Sequence, residues 1–150
     1  MSVYMPSKGS KTYNQQYQEC LDEIHVIIKK YQDSHHLIIC GDMNASLHSA
    51  QPDERDKLFK QFCELSNIHL PHTYPVGKTY IHENGKKSSQ IDYILSSEQF
   101  KHHIDSITIS KDDQINTSDH SAVKAKIHVD ALTKKVVQKE PQNETNQRIN

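Results

Sequence analysis

The sequence predicts an α/β domain over residues 1–130, followed by a polar tail over residues 131–150. Apolar residues recur at three- and four-residue steps over Tyr13–Tyr31, which predicts an amphipathic helix. The apolar run Leu37–Cys40 comes next and predicts a buried strand, ended by a glycine. Apolar and polar residues alternate over Val123–Val129, which predicts a strand with one buried face. Elements in this order indicate a sheet covered by helices.

The other elements follow from shorter patterns. Val3-Tyr4 is predicted to end a first strand, because Pro6 stops it. Asp53–Leu65 is predicted as a second helix with Leu58, Phe59, Phe62 and Leu65 on its apolar side. The later predicted strands are Lys78–His82, Ile91–Leu95 and Ile104–Ile109, with a loop over Glu83–Gln90 between the first two. The tail is predicted to be disordered, because it is almost entirely polar.

Composition excludes several classes of protein. The 150 residues carry a formal charge of −1, which argues against binding nucleic acid through a strongly basic surface. A DNA partner therefore requires a local basic patch or a metal ion. No run of about 18 apolar residues occurs, and Met1–Pro6 lacks the features of a secretory signal, so neither a membrane span nor export is expected. Three cysteines without paired spacing favour reduced thiols inside the cell, with the nucleus a compatible compartment.

Acidic and amide residues stand at the ends of predicted strands, or inside one, in three places. The first is Gly41-Asp42-Met43-Asn44, the second is Asp92 inside an apolar strand, and the third is Ser118-Asp119-His120. Each has an ordinary interpretation, as a turn or as a solvated strand residue. Together, two carboxylates, an amide and a histidine near one phosphate would form a metal-assisted hydrolytic site. The sequence therefore predicts such a site, with Asp92 and His120 as a hydrogen-bonded pair.

Four segments in one order resemble a known family. They are Val3-Tyr4-Met5-Pro6, Gly41–Asn44, Ile91–Leu95 and Ser118-Asp119-His120, and they resemble the C-terminal half of the endonuclease/exonuclease/phosphatase (DNase-I-like) superfamily. The stretch Lys78–Leu95 looks most like LINE-type retrotransposon endonucleases. The resemblance implies part of a four-layered α/β sandwich whose N-terminal half is expected to be missing from this chain.

The resemblance also implies roles for single residues. Tyr4 matches a tyrosine that touches the scissile phosphate, and Asn44 matches an amide donor to that phosphate. Asp42 matches the aspartate that activates the attacking water or assists the leaving group; the two roles remain open. Asp92 matches the acid that orients the histidine, and His120 matches the histidine that contacts the phosphate.

The implied cofactor is Mg²⁺ or Mn²⁺, and the implied partner is the backbone of DNA. Asp119 matches a metal-associated carboxylate, whereas the family's principal metal-binding glutamate belongs to the half that this chain does not match. Lys86 and Lys87 are expected to contact DNA from the loop that carries them. A half sandwich is also expected to expose an apolar sheet face, which would favour self-association.

The function implied is metal-dependent hydrolysis of phosphodiester bonds by a retrotransposon-type endonuclease. Because the chain matches only half of the family's domain, loss of catalytic turnover in this chain is a further expectation. Two alternatives remain open: a non-catalytic fragment, or a small-molecule phosphatase or phosphodiesterase of the same superfamily.

Overall fold

A central sheet of four strands organises the protein. In the computed structural model, which describes residues 1–9, 12–82, 85, 87–110 and 117–129, the elements follow one another along the chain as a mixed α/β set. They are β1 (Ser2–Tyr4), α1 (Tyr13–Tyr31), β2 (Ile38–Asp42), α2 (Glu54–Ser66), β3 (Ile68–His69), β4 (Tyr80–Ile81), β5 (Ser88–Ser89), β6 (Asp92–Ser97), a 3-10 helix (Glu98–His103), β7 (Ile104–Ile109) and β8 (Val123–Ile127). The predicted tail lies outside the described residues.

Strand register brings the acidic residues into one row. The central sheet has the order β1-β2-β6-β3, with β1 parallel to β2 and β6 antiparallel to both β2 and β3. Tyr4 pairs with Asp42, and Asp42 pairs with Asp92. Neighbouring strands lie about 4.8 Å apart. Three residues predicted for the site therefore lie side by side at one edge of the sheet.

The two helices cover one face of the central sheet. The buried side of α1 consists of Tyr17, Leu21, Ile24 and Ile28, which matches the spacing seen in the sequence. These side chains join residues of α2 and of the sheet in one apolar cluster, which includes Phe59, Phe62, Ile39, Tyr93 and Leu95. This cluster is the main core, and burial of its apolar surface is the principal stabilising contribution.

The β7–β8 hairpin covers part of the opposite face. Ile104 and Ile107 of β7 and the neighbouring Phe100 are buried together, and Ile38 and Ile94 of the central sheet pack against them. Along β6, Tyr93 and Leu95 face the helices while Ile94 faces the hairpin, as the two-residue period of a strand requires. The layers are therefore helices, central sheet and hairpin.

Helix boundaries differ slightly from those predicted. The prediction of α1 over Tyr13–Tyr31 is confirmed. The second helix starts at Glu54, because Asp53 is its N-cap and accepts a hydrogen bond from the backbone N–H of Asp56. The placement of Leu65 on the apolar side is wrong, since this side chain is 65% exposed.

Strand boundaries differ more. Gly41 does not end the second strand, which continues through Asp42. The stretch Glu83–Gln90, predicted as a loop, contains β5, which pairs with β4 in a short hairpin. The strand predicted over Ile91–Leu95 begins at Asp92 and runs to Ser97, beyond the predicted end. Serines 88, 89, 96 and 97 carry no apolar alternation, which is why the pattern did not show these strand residues.

No helix among the described residues is long and apolar enough to cross a membrane. Cys20, Cys40 and Cys63 are unpaired thiols. Burial raises the pKa of Cys63 to about 12, so this thiol is protonated at neutral pH and acts as a small apolar side chain.

Candidate active site

Asp92 and His120 form a hydrogen-bonded pair. His120 Nδ1 lies 3.0 Å from Asp92 Oδ2 and 3.2 Å from Asp92 Oδ1. A carboxylate only accepts hydrogen bonds, so Nδ1 donates, and the neutral ring keeps its lone pair on Nε2. That second nitrogen lies 3.9 Å from Asp42 Oδ2. The pair predicted from the sequence is therefore present in the structure, with a second carboxylate facing the other nitrogen of the imidazole.

The Asp42 side chain is largely buried at the end of β2, the strand between β1 and β6. Its side chain is 10% exposed, against 19% for Asp92 and 32% for His120. Burial raises the pKa of Asp42, and the Asp92 carboxylate raises it further, whereas the backbone N–H of Asn44 and the charges of His120 and Arg55 act in the opposite direction. A carboxyl group with a raised pKa exchanges protons more readily near neutral pH, as acid–base chemistry requires.

Asn44 holds the turn that follows β2. Its backbone adopts φ +47°, a left-handed conformation that asparagine tolerates better than most residues. Its N–H donates to Asp42 Oδ1 at 2.8 Å, and its side-chain Nδ2 donates to Met5 O at 2.8 Å and to Asp42 Oδ2 at 3.2 Å. Asn44 thus positions Asp42 directly, and a phosphate would share the Nδ2 donor with these acceptors.

Gly41 allows the first two strands to approach each other beside Asp42. Its φ is +140°, and a Cβ atom there would lie 1.9 Å from the Val3 carbonyl oxygen. Only a residue without a side chain fits such an approach. The glycine is therefore required inside the strand and is not a terminator.

The remaining predicted residues are on exposed positions or lie outside the described residues. Tyr4 is 76% exposed at the end of β1, next to Asp42 in register. Asp119 is exposed, and its backbone carbonyl accepts the N–H of Ile81 at 2.9 Å. Lys87 is exposed on the β4–β5 hairpin, and Lys86 lies outside the described residues. The structure therefore brings together Asp42, Asn44, Asp92 and His120, with Tyr4, Asp119 and Lys87 on exposed positions.

An open cleft of about 660 Å³ begins at the pair. It runs between the central sheet and β8, and its walls carry a mixture of polar and apolar residues. They are Ser2, Cys40, Gly41, Asp92, Tyr93, Ile94, Ser110, His120, Ser121, Ala122, Val123 and Lys124. The Asp92–His120 pair is thus accessible from solvent, as a site for an extended substrate must be.

The same three side chains could hold a divalent cation. One ligand atom each from Asp42, Asp92 and His120 lies within 4.8 Å of the others, the only group of this kind among the described residues. Carboxylate oxygens are the ligands that Mg²⁺ and Mn²⁺ prefer, so the two aspartates fit these ions. The histidine fits less well, because its Nδ1 is engaged by Asp92.

Three residues near the site were not predicted. The hydroxyl of Tyr74 donates to the Asp92 carbonyl oxygen at 2.6 Å, and the ring of Tyr80 lies 4.9 Å from that of His120. Arg55 is only 5% exposed and contacts two aromatic rings of α1. Arg55 stands four residues before Phe59, on the apolar side of α2, so a charge at a buried position was a signal available in the sequence.

Comparison with known proteins yields one family and a set of similar folds. A family model described as endonuclease-reverse transcriptase matches residues 1–124. No curated protein matches the chain. Among solved structures, a 3′ phosphatase (NExo) from Neisseria bound to product DNA hairpin superposes with TM-score 0.70 at 17% identity, over 85% of this chain and 60% of that one.

Two further structures have a similar fold. The endonuclease domain of TRAS1, a telomere-specific non-LTR retrotransposon, gives TM-score 0.64 at 22% identity, over 76% of this chain and 52% of that domain. An AP endonuclease from Archaeoglobus fulgidus gives TM-score 0.65 at 17% identity, over 85% of this chain and 60% of that enzyme. The chain therefore spans half to three fifths of the length of these nucleases, and its fold corresponds to part of theirs.

Proposed function

The chain belongs to the endonuclease–reverse transcriptase family, and from this membership we propose that it hydrolyses phosphodiester bonds in DNA, with a divalent metal ion, as a retrotransposon-type endonuclease. The observation that carries the proposal is the Asp92–His120 hydrogen bond at the open cleft, with Asp42 facing the other ring nitrogen. Phosphodiester hydrolysis needs a proton-transfer group and a cation near the phosphate, and this arrangement offers proton-transfer groups and carboxylates that would attract the cation.

His120 would act on the phosphate through Nε2. Asp92 accepts the proton of Nδ1, which sets the tautomer and the plane of the ring and stabilises the imidazolium form. The Nε2–H of that form would donate to a non-bridging phosphate oxygen and stabilise the charge that grows there in the transition state. Asp92 is thus a positioning group, whereas His120 touches the substrate.

Asp42 would handle a proton. Its raised pKa suits either removal of a proton from the attacking water or delivery of one to the leaving oxygen. Asn44 keeps this carboxylate in place and offers its amide to the phosphate. Tyr4, exposed beside Asp42, would contact the phosphate from the β1 side.

A Mg²⁺ or Mn²⁺ ion would bind beside Asp42 and Asp92, with the exposed Asp119 as a ligand, while Asp92 keeps its hydrogen bond to His120. When bound, such an ion neutralises phosphate charge and polarises the phosphorus–oxygen bonds. Lys86 and Lys87 would add positive charge for the DNA backbone. A DNA substrate would suit a protein inside the cell, with the nucleus as a compatible compartment.

Two alternatives have their own support. The chain spans 52–60% of the structures it resembles, so the activity of a whole domain need not carry over, and a non-catalytic protein that associates with another copy is one alternative. One of the similar structures is a phosphatase, which keeps a phosphomonoester or small-molecule substrate open.

Nicking of supercoiled plasmid tests the proposal directly. The purified chain is incubated with plasmid in Mg²⁺, in Mn²⁺ and in chelator, alongside His120→Ala. His35→Ala is the matched control, because His35 is an exposed histidine that precedes β2, whereas the candidate site lies at the other end of this strand. Nicking that requires metal, survives in His35→Ala and is lost in His120→Ala supports the endonuclease.

Other outcomes separate the alternatives. Absence of nicking with every metal, together with release of phosphate from a small phosphomonoester, would favour the phosphatase. Absence of both activities would favour the non-catalytic fragment. Nicking that persists unchanged in His120→Ala would contradict the assignment of this site.

A further inference from the structure

A buried hydroxyl lies beneath the Asp92–His120 pair. Thr79 is fully buried, and its Oγ1 accepts two backbone hydrogen bonds, from the N–H of Ile91 and from the N–H of Asp92, both at 3.0 Å. These two backbone N–H groups lie at the start of β6. One side chain therefore fixes the peptide from which the Asp92 carboxylate projects.

The same short segment also holds His120. The carbonyl oxygen of Thr79 accepts the N–H of Ser121 at 2.7 Å, and the N–H of Ile81 donates to the Asp119 carbonyl at 2.9 Å. These two bonds make Tyr80 and His120 opposite partners in an antiparallel bridge. The backbone on each side of the histidine is thus attached to the backbone on each side of Tyr80.

The Tyr80 ring adds a contact to the imidazole itself. The two ring centroids are 4.9 Å apart and the planes are tilted by 52°. Aromatic contacts at this distance favour specific relative orientations. The Tyr80 ring therefore restricts rotation of the histidine side chain toward the orientation in which Nδ1 faces Asp92.

We propose that Thr79 and Tyr80 together act as the positioning element of the Asp92–His120 pair: the threonine hydroxyl fixes the carboxylate, and the tyrosine ring with its backbone bridge fixes the imidazole. Asp92 and His120 are 28 residues apart in the chain. Asp92 lies in the central sheet and His120 lies outside it, so their alignment requires a segment that contacts both. The dipeptide Thr79-Tyr80 contacts both. It matters for catalysis only if the pair acts as proposed above, whereas its effect on geometry is measurable in the resting protein.

NMR of the full chain, in buffer with chelator and no substrate, tests the threonine. Thr79→Val keeps the shape but removes the acceptor, and Thr79→Ser keeps the acceptor. Hydrogen exchange of the Ile91 and Asp92 amides is expected to become about tenfold faster in the valine variant and to stay within about twofold in the serine variant. The ¹⁵N shifts of the His120 ring are expected to move toward a mixture of tautomers in the valine variant only.

Ser96→Ala is the matched control. This serine is fully buried in β6, the strand that begins with Asp92, and its hydroxyl has no hydrogen-bond partner in the described part of the chain. Its removal is expected to leave the His120 ring shifts unchanged. A valine variant with native His120 shifts, or an alanine control with equally altered shifts, would overturn the role of Thr79.

Tyr80 provides a second test that does not depend on the buried site. Tyr80→Phe keeps the ring, and Tyr80→Ala removes it from a half-exposed position outside the apolar core. In the wild type and in Tyr80→Phe, the carbon-bound protons of the His120 ring are expected to show a ring-current shift. In Tyr80→Ala, both this shift and the single tautomer of His120 are expected to be lost. Retention of the single tautomer in Tyr80→Ala would overturn the role of the ring. These readings stand even if no nuclease activity is found.

Discussion

Replacing Gly41 with alanine should separate the first strand from the sheet. The new Cβ would lie 1.9 Å from the Val3 carbonyl oxygen and 2.9 Å from the Val3 carbonyl carbon, whereas real Cβ contacts almost never fall below 3.0 Å. The obstacle is backbone, so it cannot swing away as a side chain does. β1 must therefore move by about 1 Å or more, enough to break its hydrogen bonds to β2.

The cost has two parts. A φ of +140° is strained for any residue with a side chain, at roughly 1–3 kcal/mol, and the overpacking adds roughly 1–3 kcal/mol. Gly85 provides the matched comparison, because it also has positive φ, +64°, but open space around it. Alanine there should cost only the local strain, about 1 kcal/mol.

Urea unfolding followed by circular dichroism measures the difference. With a slope of about 2 kcal/mol per molar urea, Gly41→Ala should lower the midpoint by roughly 1–3 M and Gly85→Ala by about 0.5 M. Amide shifts in Gly41→Ala should change most over Val3–Met5 and Asp42, the residues joined by the β1–β2 pairing. If Gly41→Ala costs no more than Gly85→Ala, the close approach of β1 is not a feature of the folded protein.

Three further predictions concern the site. Since burial and Asp92 raise the pKa of Asp42, its ionisation opposes folding: the associated stability is present at acid pH and is lost as pH rises through the raised pKa. In the metal-free protein, the stability of Asp42→Asn relative to the wild type should therefore be higher at pH 7 than near pH 3, which urea titrations at the two pH values would show; an equal difference at both pH values would refute it. In the nicking assay, Asp92→Asn and His120→Ala should each reduce the rate by roughly 10²-fold and the double variant little further, because both act through one imidazole, whereas multiplicative losses would mean independent roles. Replacing Lys86 and Lys87 with alanine should reduce the slope of log affinity for DNA against log salt by about 1–2, as measured by fluorescence anisotropy; an unchanged slope would remove this hairpin from the DNA interface.

Long regular elements were predictable because each buries one face. Tyr17, Leu21, Ile24 and Ile28 recur at helical spacing, and that spacing alone defines α1. The α/β class and the close approach of Asp92 and His120 were also predictable, the latter because an acid inside an apolar strand requires a partner.

What the sequence did not indicate depends on contacts between distant segments. In the sequence, Gly41 resembles a residue that ends a strand. It lies inside β2 instead, because β1 approaches it closely, and β1 is far away in the chain. The short strands β3 and β5 are set by their partners and not by their own composition. Thr79 is ordinary in the sequence, and its role follows only from the two amides that it meets after folding.

The pairing of Asp42 with Asp92 has a consequence for how the protein reaches its native state. These residues are opposite one another in neighbouring strands, and all of α2, β3 and the β4–β5 hairpin lie between them in the chain. A loop of this length closes slowly, since its entropy must be lost before the strand contacts compensate for it. A chain with both helices formed but β2 and β6 still apart would hold no aligned carboxylates. Under the proposed function, hydrolytic activity would therefore appear in the same step as the finished sheet.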